Sequence, residues 1–112
     1  MRLFVDVDDT LVLYQTLGPN PYGYYMGTPW QPNVRLIEGI KQFHRDYPAT
    51  LITVWSGGGR AYAREWAERL GLGDIVTTVI KDESTMNLIT SGSIVVDDTC
   101  LGGRRTHEPH EW

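Results

Sequence analysis

The sequence predicts an α/β domain built on a parallel sheet, and three observations carry that expectation. Short, apolar, β-branched runs alternate with segments of helical periodicity. The 112 residues are enough for one hydrophobic core and too few for two. Acidic residues, a serine and a lysine fall just past the ends of the apolar runs. Strands that alternate with helices are joined by right-handed crossovers, which lay the strands parallel. In such a sheet ligands bind beyond the carboxyl ends of the strands. Residues 1–112 are read as a single domain, with about 100–112 as a polar C-terminal tail.

Residues 2–8, Arg-Leu-Phe-Val-Asp-Val-Asp, suit a buried strand with its carboxylates at the C-terminal edge. Residues 12–32 carry Pro19, Pro21, Pro29 and Pro32 among Tyr22, Tyr24, Tyr25 and Trp30, which forbids a regular helix and predicts a structured loop. Its aromatics and Met26 either pack over the core or form a flap over a substrate, and the sequence leaves both open. Asn33 is suited to cap a helix bearing Val34, Ile37, Ile40, Lys41 and His44, which Pro48 ends. Residues 50–55 form a second buried strand, closed by Ser56 and by Gly57, Gly58 and Gly59. Tyr62, Trp66, Ala67 and Leu70 mark an amphipathic helix with Gly71 past its end. The apolar positions of both helices are assigned to the core. A β-branched run at 75–80, a short helix at 84–90 and a last strand at 93–96 lead to Asp97 and Asp98.

Charge and composition narrow the field further. Ten Lys and Arg against fourteen Asp and Glu give a net charge of −4, which offers no general attraction to a phosphate backbone. No apolar run approaches the roughly 20 residues of a membrane helix. The only cysteine, Cys100, has no partner in the chain for a disulfide, and no basic-then-apolar leader precedes the first strand, so the cytoplasm is the expected location. His107, Glu108, His110 and Glu111, with Pro109 among them, read as exposed tail and receive no role.

Four short motifs stand in order at the strand ends: Asp6-Val7-Asp8-Asp9-Thr10-Leu11, then Ser56, then Lys81, then Asp97-Asp98. Over residues 2–99 this pattern resembles the haloacid dehalogenase (HAD) superfamily of phosphatases, the first and fourth motifs being the specific ones. The resemblance implies a three-layer α/β/α, Rossmann-like (HAD-like) fold and a Mg²⁺-dependent phosphomonoester hydrolase acting through an aspartyl-phosphate on Asp6. It implies that Asp8 is the general acid and base. Asp6, the backbone carbonyl of Asp8, and Asp98 are then the metal ligands, with Asp97 behind them supporting Lys81 or the metal's water. Thr10, Ser56, Gly57 and Lys81 are the implied phosphate contacts, with Arg60 as reinforcement. The intervals in which relatives insert a cap domain are too short here, so a capless member is expected.

The chemistry of the residue types agrees with this reading without the family. A phosphate monoester repels an anionic nucleophile, and unaided hydrolysis is slow enough that enzymes supply up to about 10²¹-fold. Convergent carboxylates can hold a hard cation such as Mg²⁺, and a lysine lowers the repulsion that remains. A calcium loop starting at Asp6 would need Gly and an acid where Leu11 and Leu17 stand, and the glycine run lacks the Gly-Lys-Ser/Thr ending of a P-loop. Two alternatives stay open: a polynucleotide 3′-phosphatase using Arg60, Arg64, Arg104 and Arg105, and a non-catalytic, metal-dependent phosphate-binding module. Expected partners are a phosphorylated small molecule or nucleic-acid end and no membrane. A sheet lacking an edge strand past the fourth motif leaves room for a homo-oligomer.

Overall fold

In the computed structural model, residues 2–14 and 27–97 are described. In chain order they form β1 (Arg2–Asp6), β2 (Val12–Tyr14), β3 (Trp30–Pro32), α1 (Val34–Asp46), β4 (Leu51–Ser56), α2 (Arg60–Arg69), β5 (Thr77–Ile80), α3 (Glu83–Met86) and β6 (Ser93–Val96). Four strands make one parallel sheet in the order β5-β4-β1-β6. The chain moves outward from β1 to β4 and β5, then crosses back to the far side of β1. Strand order therefore reverses beside β1, which is where open α/β sheets present a ligand crevice.

Alternation along the strands divides the core. Leu3 and Val5 of β1, Ile52 and Val54 of β4, and Val96 of β6 pack in one cluster with Leu36, Ile37 and Ile40 of α1 and Tyr62, Ala63 and Trp66 of α2. Phe4, Trp55 and Val95 occupy the opposite face, against Val79, Met86, Leu88 and Ile89. The Phe4 and Trp55 rings lie 4.7 Å apart between centroids, joining β1 to β4 through their side chains. Truncating a buried aromatic in such a cluster costs about 3–5 kcal/mol.

The helix boundaries follow local chemistry. The Asn33 side chain accepts from the Leu36 amide at 3.3 Å, as the sequence predicts for an N-cap. The same side chain donates through Nδ2 to the Thr10 carbonyl at 3.0 Å, and the Asn33 amide donates to the Leu11 carbonyl at 2.8 Å. One residue thus caps α1 and anchors the turn that follows β1. Helix α2 starts after Gly59, whose φ of 110° favours glycine, and is followed by Gly71 at φ 75°. The Arg64 guanidinium donates to the carbonyls of Gly73 at 2.9 Å and Val76 at 3.2 Å, fastening the turn before β5.

Several elements depart from the sequence expectation. The loop expected over 12–32 contains an antiparallel ribbon, β2 paired with β3. Its strands are three residues each and one ends in Pro32, so neither alternation nor composition marks them. Strand β1, by contrast, stops at Asp6, where the acidic residues begin, because the Val7 carbonyl is taken by the amides of Thr10, Leu11 and Val12. The third sheet strand begins at Thr77, later than expected, since the turn fastened by Arg64 takes the residues before it. The short helix begins earlier, at Glu83, and is a single turn, because Asp82 and Thr85 close a capping box. Trp30 packs edge-on against Trp66 at 4.7 Å and belongs to the core periphery. Tyr22, Tyr24, Tyr25, Met26, Cys100 and the tail at 100–112 lie outside the described residues. Among the described residues no helix is long and apolar enough to cross a membrane.

Asn33→Ala removes both the cap and the Thr10 tether, and is expected to lower stability by about 1–2 kcal/mol. Urea unfolding checks this, and Asn33→Asp, which restores only the cap, is expected to recover part of the loss.

Candidate active site

The carboxyl ends of β1, β5 and β6 bring three charged side chains into contact. Lys81, the residue after β5, places Nζ 2.8 Å from Asp6 Oδ1 at the end of β1 and 3.1 Å from Asp97 Oδ2 just past β6. Asp6 retains only 5 % of its accessible surface, and Asp97 none. A carboxylate so enclosed needs a cation or hydrogen-bond donors, because the charged form loses most of its hydration. Asp6 has both, since the Thr10 hydroxyl donates to Oδ2 at 3.2 Å. Thr10 is itself fully buried and is held through its carbonyl by Asn33.

Lys81 is positioned from both sides along the chain. Its amide donates to the Ser56 carbonyl at 2.8 Å, extending the β5–β4 ladder by one residue, and Asp82 then begins the α3 cap. Burial alone would push the Lys81 ammonium down, but the carboxylates of Asp6 and Asp97 outweigh that and hold it above the ordinary lysine value. At neutral pH the lysine is therefore a fixed positive charge.

Asp8 sits in different surroundings. Beyond β1 the chain turns tightly: Asp9 takes a left-handed φ of 59°, a conformation an Asp tolerates, and Asp8 makes an isolated bridge with Val12. Strand alternation ends at Asp6, so the pleat does not direct the Asp8 side chain. Asp8 Oδ1 accepts from the Tyr62 hydroxyl at 2.8 Å and also from the Tyr14 hydroxyl. Tyr62 lies in the first turn of α2 and Tyr14 ends β2, so two separate elements reach this carboxylate. Burial, then the hydrogen bond to Asp8, push the Tyr62 hydroxyl far above the usual tyrosine range, which keeps it protonated as a donor.

Ser56 ends β4, the strand next to β1, and is almost fully buried. Its hydroxyl accepts from the Gly58 amide at 3.0 Å, and its carbonyl accepts from Gly59 at 3.1 Å as well as from Lys81. The hydroxyl is thus engaged by its own loop, while Gly57 is exposed beside it and Arg60 opens α2 on the surface. Thr10 and Lys81 each contact Asp6 directly, Lys81 also contacts Asp97, and Ser56 joins them through the backbone of Lys81. Asp98, the expected third metal ligand, lies outside the described residues. Sequence reasoning missed the two tyrosines. A tyrosine on the core face of a helix needs a partner for its hydroxyl, and that requirement is the signal that could have drawn Tyr62 toward Asp8.

Asp6, Asp8 and Asp97 are buried carboxylates, the oxygen-donor type that hard cations such as Mg²⁺ take, and Lys81 contacts two of them. Among the described residues no three metal-binding side chains converge on one point. Comparison with protein-family models, with curated proteins and with solved structures gives no match.

Lys81→Met leaves Asp6 and Asp97 without their shared cation. Because Lys81 keeps 18 % of its side-chain exposure, the expected loss of stability at pH 7 is about 2–3 kcal/mol, below the roughly 3–5 kcal/mol of a fully buried pair. The lysine is raised on folding, so its contribution is complete below its ordinary 10.5 and fades as pH climbs through the folded value. Urea unfolding in EDTA at a series of pH values is expected to show the gap between wild type and variant narrowing on the alkaline side.

Proposed function

We propose that the chain is a Mg²⁺-dependent phosphomonoester hydrolase of the haloacid dehalogenase type, with a three-layer α/β/α, Rossmann-like fold and no cap domain. The observation that carries this reading is the Lys81 ammonium held between Asp6 and Asp97 at the carboxyl ends of three parallel strands, beside the reversal in strand order. An electrophilic anion arriving there meets a carboxylate nucleophile whose repulsion a fixed lysine has already lowered.

Asp6 attacks phosphorus in line, forming an Asp6 O–P bond as the bond from phosphorus to the leaving oxygen breaks. Asp8, protonated at the start, gives its proton to that oxygen and takes one back from the water that cleaves the aspartyl-phosphate, so Asp6 returns as the carboxylate, Asp8 as the acid, and inorganic phosphate leaves. Thr10 fixes the rotamer of Asp6 through its hydroxyl. Lys81 neutralises phosphoryl oxygens, and Gly57, exposed in the turn before α2, would offer them its amide. Mg²⁺ would be held by the Asp6 carboxylate, the Asp8 carbonyl and Asp98, and would supply further neutralisation of phosphoryl charge. Asp97 steadies Lys81 from behind.

Phosphate release from nucleotides, sugar phosphates and 3′-phosphorylated oligonucleotides, with Mg²⁺ or EDTA, tests the proposal and separates small-molecule from nucleic-acid substrates. Asp6→Asn is expected to abolish turnover with the fold retained. Asp8→Asn is expected to keep Mg²⁺ affinity while kcat falls by about 10²–10⁴. Metal-independent release, or full activity in Asp6→Asn, would refute the reading.

A further inference from the structure

Two hydroxyls from distant parts of the chain meet on one oxygen of Asp8. Tyr62 Oη is 2.8 Å from Oδ1, and Tyr14 donates to the same atom. Tyr62 is fixed in the larger core cluster, where it packs among Ala63, Trp66 and the β1 side chains. Tyr14 is fixed by the pairing of β2 with β3, opposite Trp30, which in turn packs on Trp66. Asp8 itself is 8 % exposed. Among the described residues both side-chain bonds fall on Oδ1 and neither on Oδ2.

A carboxylate oxygen carries two lone pairs, so two phenolic donors saturate Oδ1. An oxygen already accepting from two donors is a poor place for a further proton, and Oδ2 is the oxygen left to exchange one. We infer that Tyr62 and Tyr14 are positioning residues that grip Asp8 by Oδ1 and confine its proton transfer to Oδ2. The inference rests on the phosphohydrolase reading and adds to it a reason why the acid–base group keeps one orientation through both steps, although it lies beyond the end of its strand. The tyrosines act through Asp8, the carboxylate that both of them contact.

Leaving-group dependence separates this role from a merely structural one. The ratio kcat/KM reports events up to release of the leaving group, where Asp8 acts as an acid. An alkyl phosphate needs that proton, whereas 4-nitrophenyl phosphate expels a stable anion and needs it little. In Tyr62→Phe, with Mg²⁺ present, kcat/KM for an alkyl phosphate is expected to fall about tenfold and that for 4-nitrophenyl phosphate to stay within about twofold of wild type. Mg²⁺ affinity by calorimetry is expected to be unchanged. Tyr14→Phe should give the same signature and decides the matter if Tyr62→Phe does not fold. An equal loss on both substrates, or none on either, in an active enzyme would overturn the positioning role alone. A wild type inert toward every phosphomonoester would overturn the phosphohydrolase reading and this role with it.

Discussion

A buried carboxylate has to be neutralised or surrounded by donors, and in this protein that requirement falls first on Asp6. Its strand, β1, is interior to the sheet, so main-chain pairing occupies both edges and hydrophobic clusters occupy both faces. The carboxylate can find its partners only beyond the strand end. Lys81 reaches it from the end of β5, past β4, and Thr10 reaches it from the turn after β1. The positions of the turn, of the β5 terminus and of Asp97 past β6 are all tied to that single charge. An apolar residue in its place would release the demand and leave Lys81 facing Asp97 alone, with the same sheet behind them.

The two acids of the first motif are held in different ways. Asp6 has a cation and a hydroxyl, each on its own oxygen. Asp8 has two hydroxyls on one oxygen. A charge partner and neutral hydroxyl donors set the two carboxylates in different surroundings. Two carboxylates two residues apart can therefore do different work because their neighbours differ, as when environment pushes paired acids into separate roles.

Much of the scaffold was legible in the sequence. The apolar runs at Leu3–Val5, Ile52–Trp55 and Ile94–Val96 announce buried strands, and Asn33, Gly71 and Pro48 mark helix limits by local chemistry that tertiary structure does not override. The contacts of Lys81 with Asp6 and Asp97 follow from the strand order, because each residue stands at the end of a strand whose place in a parallel sheet is constrained. What stayed hidden depends on direction and distance, not pattern. The ribbon of β2 and β3 is too short to show a period. Tyr62 satisfies the helical stripe equally well as inert core, and only the fold shows where its hydroxyl ends. Ser56 illustrates the converse: its place at the β4 terminus was readable, but the engagement of its hydroxyl by the Gly58 amide was not.

The bond between Lys81 and Asp6 joins residues 75 positions apart in a chain of 112. Closing so long a loop costs conformational entropy before any contact repays it, and contacts of large sequence separation slow folding. The first acids are synthesised early, but their charge has no counterpart until most of the polypeptide has emerged. A nascent chain halted before β5 would carry Asp6 without the lysine, and one halted before β6 would lack Asp97. Assembly of the charged centre is thus coupled to completion of the sheet, so truncated or half-folded molecules do not carry it.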